Sequence, residues 1–276
     1  MTTTLRPAGP EDRSGAGHRA RRYDICDNSR RVGGVRLTTD PLTGPATGLI
    51  EALEVDAADR RRGRATVAAL AAEEVLRGWG CRRIALTVPA GAEGALRLAA
   101  ALGYTERARH LAKVIVGAPP LPPGAEDRPL AAAAYPDWRA AAVADRARLL
   151  AAPGLTSEEA AQAAEAEHRA LLVEGAATPH HALRTLTVGG TGVGHVWTDL
   201  RPPDLPGGRV LDLLVAPEHR GHGHGRALLG VAERECLAAG VPLVALTVRT
   251  DDTAARGLAT ACGYRPTGFL LAKPLL

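Results

Sequence analysis

Arg220-Gly221-His222-Gly223-His224-Gly225-Arg226 is the stretch of this sequence whose residue types and spacing could hold a charged ligand. It follows an apolar run, Val210 to Val215, that reads as a strand, and it opens a stretch, Gly225 to Ala239, that reads as a helix. A glycine-rich turn at such a junction presents several backbone N–H groups at the positive end of a helix, which is a cradle for phosphate. A Walker loop would need Gly-Lys followed by Ser or Thr, and a dinucleotide fingerprint a different glycine spacing, so neither is indicated. His219, His222 and His224 lie among the glycines with no cysteine or carboxylate cluster beside them. They would make a poor metal cage, no metal is expected, and solvated histidines beside a phosphate are the simpler reading.

The elements that position this loop occur twice. Leu53–Val116 aligns without gaps on Leu213–Leu276 at an offset of 160, so that Val55 matches Val215, Arg60 matches Arg220 and Gly63 matches Gly223. Ala85-Leu-Thr-Val88 recurs unchanged as Ala245-Leu-Thr-Val248, and Leu111-Ala-Lys113 as Leu271-Ala-Lys273, which points to duplication of one domain. Between the copies runs the proline-rich stretch 118–129, an extended linker. The expected domains are 1–117 and 130–276.

In the second copy Leu243 to Val248 reads as a strand, Thr253 to Cys262 as a helix and Phe269 to Lys273 as a final strand. Strand, helix and strand of these lengths imply a parallel pair, so the class is α/β or α+β with a mixed sheet. Upstream, Asp137 to Leu150 and Ser157 to Val173 read as helices, the latter opened by the capping signal Thr156-Ser-Glu-Glu159. Strand-like Ala182 to Val188 and Val193 to Asp199 follow. The first copy has only about fifty residues before its turn, room for three short strands and not for the helical pair.

Composition narrows the class further. The chain has 276 residues, 46% of them hydrophobic and 23% charged, which suits two globular domains. A net charge of +4 with arginines spread over both halves argues against nucleic acid as a main partner. No run approaches the roughly 18 apolar residues of a membrane span, and Met1 to Pro10 lacks the apolar stretch of a secretory signal, so no membrane partner and a cytoplasmic location are expected. Cys26, Cys81, Cys236 and Cys262 are scattered and read as buried thiols.

The loop carries a family resemblance. Arg220-x-x-Gly223-x-Gly225, led in by Val215-Ala-Pro-Glu-His, is similar to the pyrophosphate loop of the GNAT acyl-CoA N-acyltransferase superfamily, and Arg60-x-x-Gly63-x-Ala65 fits the same pattern. Asp252 to Tyr264 resembles the helix that follows in that family, and Gly175 to His181 with Val193-Gly-His-Val-Trp197 resembles the front half of one bacterial subgroup. The resemblance implies two tandem GNAT domains, each a mixed, mainly antiparallel sheet with a central parallel pair flanked by helices. It is similar to tandem members of the family whose second domain is the active one.

Acetyl-CoA, or another acyl-CoA, would then lie with its pyrophosphate on Gly221, His222, Gly223, His224, Gly225 and Arg226, next to Arg220, and its pantetheine along Leu213, Leu214 and Val215. Asp212 would be the base, on the strand where this subgroup places a carboxylate, and the acceptor a primary amine, most simply of a small molecule. The family's asparagine position is Asp252, and its tyrosine position is Ala259, which cannot donate a proton. The first copy has Ala92 and Ala99 there, so it is expected to be non-catalytic, though Arg60, Gly63, Arg64 and Ala65 could form a second CoA loop. Glu51 and Glu54 read as surface charges, Trp197 as core, and His180 and His181 lie near the presumed acceptor side. The chain would be a monomer, an internal pseudo-dimer, or a homodimer. The competing reading is an inactive CoA-binding or interaction protein.

Overall fold

Leu243-Val-Ala-Leu-Thr-Val-Arg249 buries Val244, Leu246 and Val248 and turns the residues between them outward, the period-two alternation of a strand. The computed structural model describes residues 3–14, 18–40, 44–117, 119–151 and 155–275. Ala118, the first residue of the expected linker, lies outside these, as do Met1 and Leu276 at the outer limits of the expected domains.

The first repeat runs β1 (Thr3–Pro7), β2 (Asp12–Ser14), β3 (His18–Asp27), β4 (Arg30–Asp40) and β5 (Gly44–Val55), then α1 (Arg64–Gly78), β6 (Arg83–Pro89), α2 (Glu93–Ala101) and β7 (Thr105–Val114). The second runs β8 (Ala125–Pro129), α3 (Tyr135–Leu150), α4 (Ser157–Leu171), β9 (His181–Val188), β10 (Thr191–Asp199) and β11 (Gly208–Val215), then α5 (His224–Ala238), β12 (Leu243–Arg249), α6 (Thr253–Ala261) and β13 (Arg265–Pro274). Ahead of the first glycine turn stand five strands, not three short ones, and β3, β4 and β5 have 10, 11 and 12 residues. Arginines hide the pattern in β3: Ala20, Tyr23 and Ile25 are buried, while Arg19 and Arg21 are half-buried, stacked over the rings of Trp79 and Tyr23, and Arg22 is exposed. Among the described residues no helix precedes β5. The capping box at α4 forms reciprocally, Glu159 N–H donating to Thr156 Oγ1 at 3.1 Å and Thr156 N–H to Glu159 Oε2 at 2.7 Å.

Two compact units interleave along the chain. The first gathers Met1–Arg107, Ala144–Glu167 and Leu270–Leu276; the second gathers Ala108–Val143 and His168–Phe269. In the first unit β3, β4 and β5 form an antiparallel ladder, β1 and β2 both pair with β3, and β5 pairs with β6 in parallel. In the second, β11 and β12 are parallel, and β7, β10, β9 and β8 extend the ladder in antiparallel fashion. The core of the second unit is the inner face of α5 (Leu228, Val231, Ala232, Cys236) on Val196, Val210, Val244 and Leu246, closed by Tyr264.

The last strand of each repeat thus leaves its own repeat: Ala108–Val114 pairs with β12 of the second, and the chain end from Leu270 joins the first. The chain's two lysines ride on these exchanged segments. Lys113 Nζ donates to both oxygens of Glu233 on α5, at 2.8 and 2.9 Å, and stands 5.7 Å from the Tyr264 ring centroid. Lys273 Nζ meets Glu73 of α1 at 2.7 Å, 4.9 Å from the Tyr104 ring, while Tyr104 Oη donates to Glu73 at 3.0 Å. Burial, reinforced by the adjacent glutamate, pushes both tyrosine hydroxyls well above their ordinary range.

Candidate functional site

The glycine loop begins where β11 ends. A turn of 3₁₀ helix, Pro217–His219, follows Val215, and the chain then passes through Arg220 to Gly223 and into α5. Gly221 and Gly223 have φ of +82° and +83°, left-handed backbone that costs a residue with a β-carbon about 1–2 kcal/mol. The first repeat holds Arg61 at +63° where the second has Gly221. Arg220 Nε donates to the carbonyl of Val215 at 3.2 Å, and Arg60 Nε to that of Val55 at 2.8 Å, so the arginine of each motif fastens its loop to the preceding strand.

The N-cap of α5 is Gly223, which brings no side chain to the helix end. The N–H groups of Gly221, His222, Gly223, His224 and Gly225 find no acceptor among the described residues, and Gly221 to Gly223 are exposed. Five donors at a helix N-terminus suit a phosphate. The His224 ring stands 6.3 Å from that of His219 and 6.0 Å from that of His222, centroid to centroid, and no cluster among the described residues is arranged to hold a metal ion.

The counterpart loop of the first unit is built differently. Arg64, at the position of His224, turns inward: it is 4% exposed and bonds Asp27 through Nε at 3.2 Å and again through Nη2, with its Nη1 on Asp59 Oδ1 at 3.1 Å. Arg30 caps the same Asp59 carboxylate at 2.7 and 2.9 Å and holds it below the usual carboxylate range. Arg64 is therefore a buried ion-pair partner, Gly63 the N-cap of α1, and Ala65 packs against the cluster of Ile25, Val32 and Val55.

Beside each loop the parallel strands separate. β11 and β12 are paired only over Gly208–Val210 and Val244–Leu246, after which Leu211 to Val215 keep β10 as their single partner strand. On the β12 side the backbone edge of Leu213, Leu214 and Val215 has no partner strand, and apart from the Arg220 bond to the Val215 carbonyl it can take an extended guest by strand addition. On the other side β10 comes so close that a β-carbon on Gly194 would lie 2.3 Å from the carbonyl oxygen of Leu214. Gly194→Ala is accordingly expected to lower stability by about 1–3 kcal/mol in urea unfolding. An unchanged midpoint would mean that β10 can shift away from β11.

The opposite face of β11 carries Asp212. Trp197 pairs with Asp212 but Thr198 with Val210, so Leu211 is the extra residue of a bulge. Val210 belongs to the α5 core, whereas Leu211 packs with Trp138, Leu183 and Trp197; the bulge turns Leu211 and Asp212 to the same face. There Asp212 Oδ2 lies 2.9 Å from Nε2 of His195, its diagonal neighbour on β10. A carboxylate only accepts, so Nε2 carries the hydrogen and donates. Trp138 of α3 meets the His195 ring edge-on with centroids 6.0 Å apart, and Trp197 in the same way at 5.7 Å. Trp197, expected as core, is 3% exposed and gives its indole N–H to His181 Nδ1 at 3.0 Å.

Burial pushes His181 below the ordinary histidine value, and the bond from Trp197 occupies the nitrogen a second proton would need. The unfolded chain takes up a proton near pH 6.5 that the folded ring refuses. Stability should therefore fall as pH drops below that point, and His181→Gln should flatten the decline in urea midpoints between pH 7.5 and 5.5. An undiminished decline would assign it to another group, such as His110, which burial also lowers.

Other residues singled out in the sequence have these surroundings. Asp252 is the N-cap of α6, its Oδ1 accepting from Ala255 N–H at 2.8 Å. Ala259 is 2% exposed, inside the α5 core, and Ala99 is buried in the first unit. His180, at φ +64°, accepts from Leu200 N–H through its carbonyl. Glu51 pairs with Arg36 at 3.1 Å. The residue that sequence reasoning passed over is His195; its position two before Trp197 on a strand was the available signal that it shares that tryptophan's face.

The model of the acetyltransferase (GNAT) family matches residues 5–104 and 149–264. No curated protein matches the chain. Among solved structures, a tandem GNAT protein from the clavulanic acid biosynthesis pathway is 20% identical, with a TM-score of 0.57 over 96% of this chain and 85% of that one. A GCN5-related N-acetyltransferase from Sphaerobacter thermophilus is 17% identical, with a TM-score of 0.64 over 92% and 80%. One from Kribbella flavida is 14% identical, with a TM-score of 0.56 over 88% and 87%. At these identities the structures speak for the fold, and the two matched stretches for the family: this chain belongs to the GNAT acetyltransferases, in a tandem form.

Proposed function

We propose that this protein transfers an acyl group, acetyl foremost, from acyl-CoA to a primary amine of a small molecule, and that the second repeat carries the reaction. The observation behind this reading is that one strand, β11, joins three features: the cradle of five free N–H groups at its end, an open backbone edge at Leu213 to Val215, and the Asp212 carboxylate on its outer face. The loop would take the pyrophosphate and the strand edge the pantetheine amides. The amine would meet the thioester near Asp212, which serves proton removal. The thiolate leaves without a tyrosine, since Ala259 supplies no proton.

The first repeat, 1–117, is on this reading non-catalytic. Its loop and strand opening persist, but Ala52 and Gly34 stand where the second repeat has Asp212 and His195. Of the expected linker 118–129, Ala125–Pro129 is strand β8 paired with β9, so the connection to the reacting repeat ends before it and that repeat begins ahead of residue 130; the chain serves as its own pair, as a monomer or within a homodimer.

Release of free thiol from acetyl-CoA, followed across a panel of small primary amines, tests the proposal. Amine-dependent release is expected. Tight acetyl-CoA binding with no release from any amine would favour an inactive CoA-binding protein instead, and absence of binding would remove both readings.

A further inference from the structure

We infer that the proton acceptor for the amine is Nδ1 of His195, and that Asp212 is a positioning residue that acts through that ring. This rests on the acyl-transfer reading above and assigns its proton-handling atom. Asp212 Oδ2 is bonded to His195 Nε2 at 2.9 Å, which fixes the hydrogen on Nε2 and leaves Nδ1 with a free lone pair. The carboxylate is one-third exposed and the imidazole one-fifth, so the pair is reachable by a ligand. Trp138 set edge-on against the ring limits its rotation. A histidine oriented by a carboxylate on one nitrogen and unbonded at the other among the described residues is arranged as a general base.

Of the neighbouring charged and titratable groups, His168 of α4 is buried with its ring centroid 5.3 Å from that of Trp197, and several others are bonded elsewhere. On β9, Arg184 bonds Glu235 and lies 3.6 Å from Asp127, and His181 accepts from Trp197. On β10, Asp199 accepts from Arg201 N–H, and on β11 Arg209 bonds Asp204. Asp137 and Arg139 flank Trp138 in the α3 sequence. Asp212 is the carboxylate bonded to the ring. The first repeat, with Gly34 and Ala52 at the matching positions, has neither partner.

In the step, Nδ1 takes one proton from the ammonium form of the substrate. The free amine then forms the N–C bond and the C–S bond breaks. The proton lost from nitrogen as the amide forms goes to the departing thiolate, and the imidazolium releases its proton to water, so one proton is produced per turnover.

His195→Gln is expected to lower kcat about 10²- to 10³-fold, to leave acetyl-CoA affinity by calorimetry unchanged, and to remove the acidic limb of the kcat–pH profile. Asp212→Asn should lower kcat while retaining that limb, moved to lower pH because the imidazolium loses its counter-charge. A His195→Gln enzyme with kcat within threefold and the same acidic limb would overturn the assignment. So would Asp212→Asn losing the limb altogether, since Asp212 would then be the base itself. Wild-type protein silent toward every amine defeats the acyl-transfer reading separately. ¹⁵N spectra of the histidines still judge the pair in that case: a ring hydrogen on Nδ1 of His195 would overturn it.

Discussion

Lys113→Met is expected to remove about 3–5 kcal/mol from the unfolding free energy, because it strands the carboxylate of Glu233, whose side chain is 2% exposed, inside the α5 core. Replacing both partners, Lys113→Met with Glu233→Met, should recover most of that loss, since no charge is then left buried. Chemical denaturation of the wild type, the single and the double variant measures the two steps. A single variant as stable as the wild type would mean that water reaches Glu233 and that the pair is incidental. The same logic reaches the domain boundaries. A fragment beginning at residue 118 lacks β7, and with it both the strand that pairs with β12 and the lysine that neutralises Glu233. It should fail to fold, whereas a self-sufficient 130–276 repeat would fold without β7.

The second large effect is expected at the cradle. Open space surrounds the missing side chain of Gly223, so valine meets no steric obstacle in the folded protein. Its cost lies in φ, +83°, where a β-branched residue is strained. The loop would relax by turning its amides, and the N–H groups of residues 221–225 would no longer converge on one anion. With each 1.4 kcal/mol worth a factor of ten, a loss of 2–3 kcal/mol predicts acetyl-CoA binding about 30- to 150-fold weaker by calorimetry, with an unfolding midpoint lowered only by the strain. Undiminished affinity would place the cofactor's phosphates elsewhere. Gly63→Val in the first repeat is the matched control, and on the reading offered here it leaves affinity for acetyl-CoA unaltered.

Local chemistry made much of this legible in the residues. The strand, glycine turn and helix around Gly221 to Gly225 follow from an apolar run meeting glycines that alone accept positive φ cheaply, and the observed bounds differ from the expected ones by only a residue or two. The Thr156 and Glu159 capping box involves groups three residues apart. The repeat at an offset of 160 needed no structure at all, and it carried the family and the parallel strand pair in each copy.

Other features depended on contacts between residues far apart in the chain. Which way Asp212 points is set by a bulge at Leu211, and a bulge is a mismatch between two strands that neither strand announces alone. Its bond to His195 spans 17 residues and converts a lone carboxylate into half of a pair. The resemblance of Arg60-x-x-Gly63-x-Ala65 puts Arg64 within an expected second CoA loop; Asp27, 37 residues earlier, draws its side chain inside. The destination of each final strand was equally hidden, because Leu111-Ala-Lys113 and Leu271-Ala-Lys273 are identical segments that suit either sheet. Sequence thus determined the loop, the duplication and the class of fold, all governed by short-range periodicity and backbone preference. Tertiary structure decided which side chains meet, since burial and charge neutralisation are settled between elements the chain brings together only on folding.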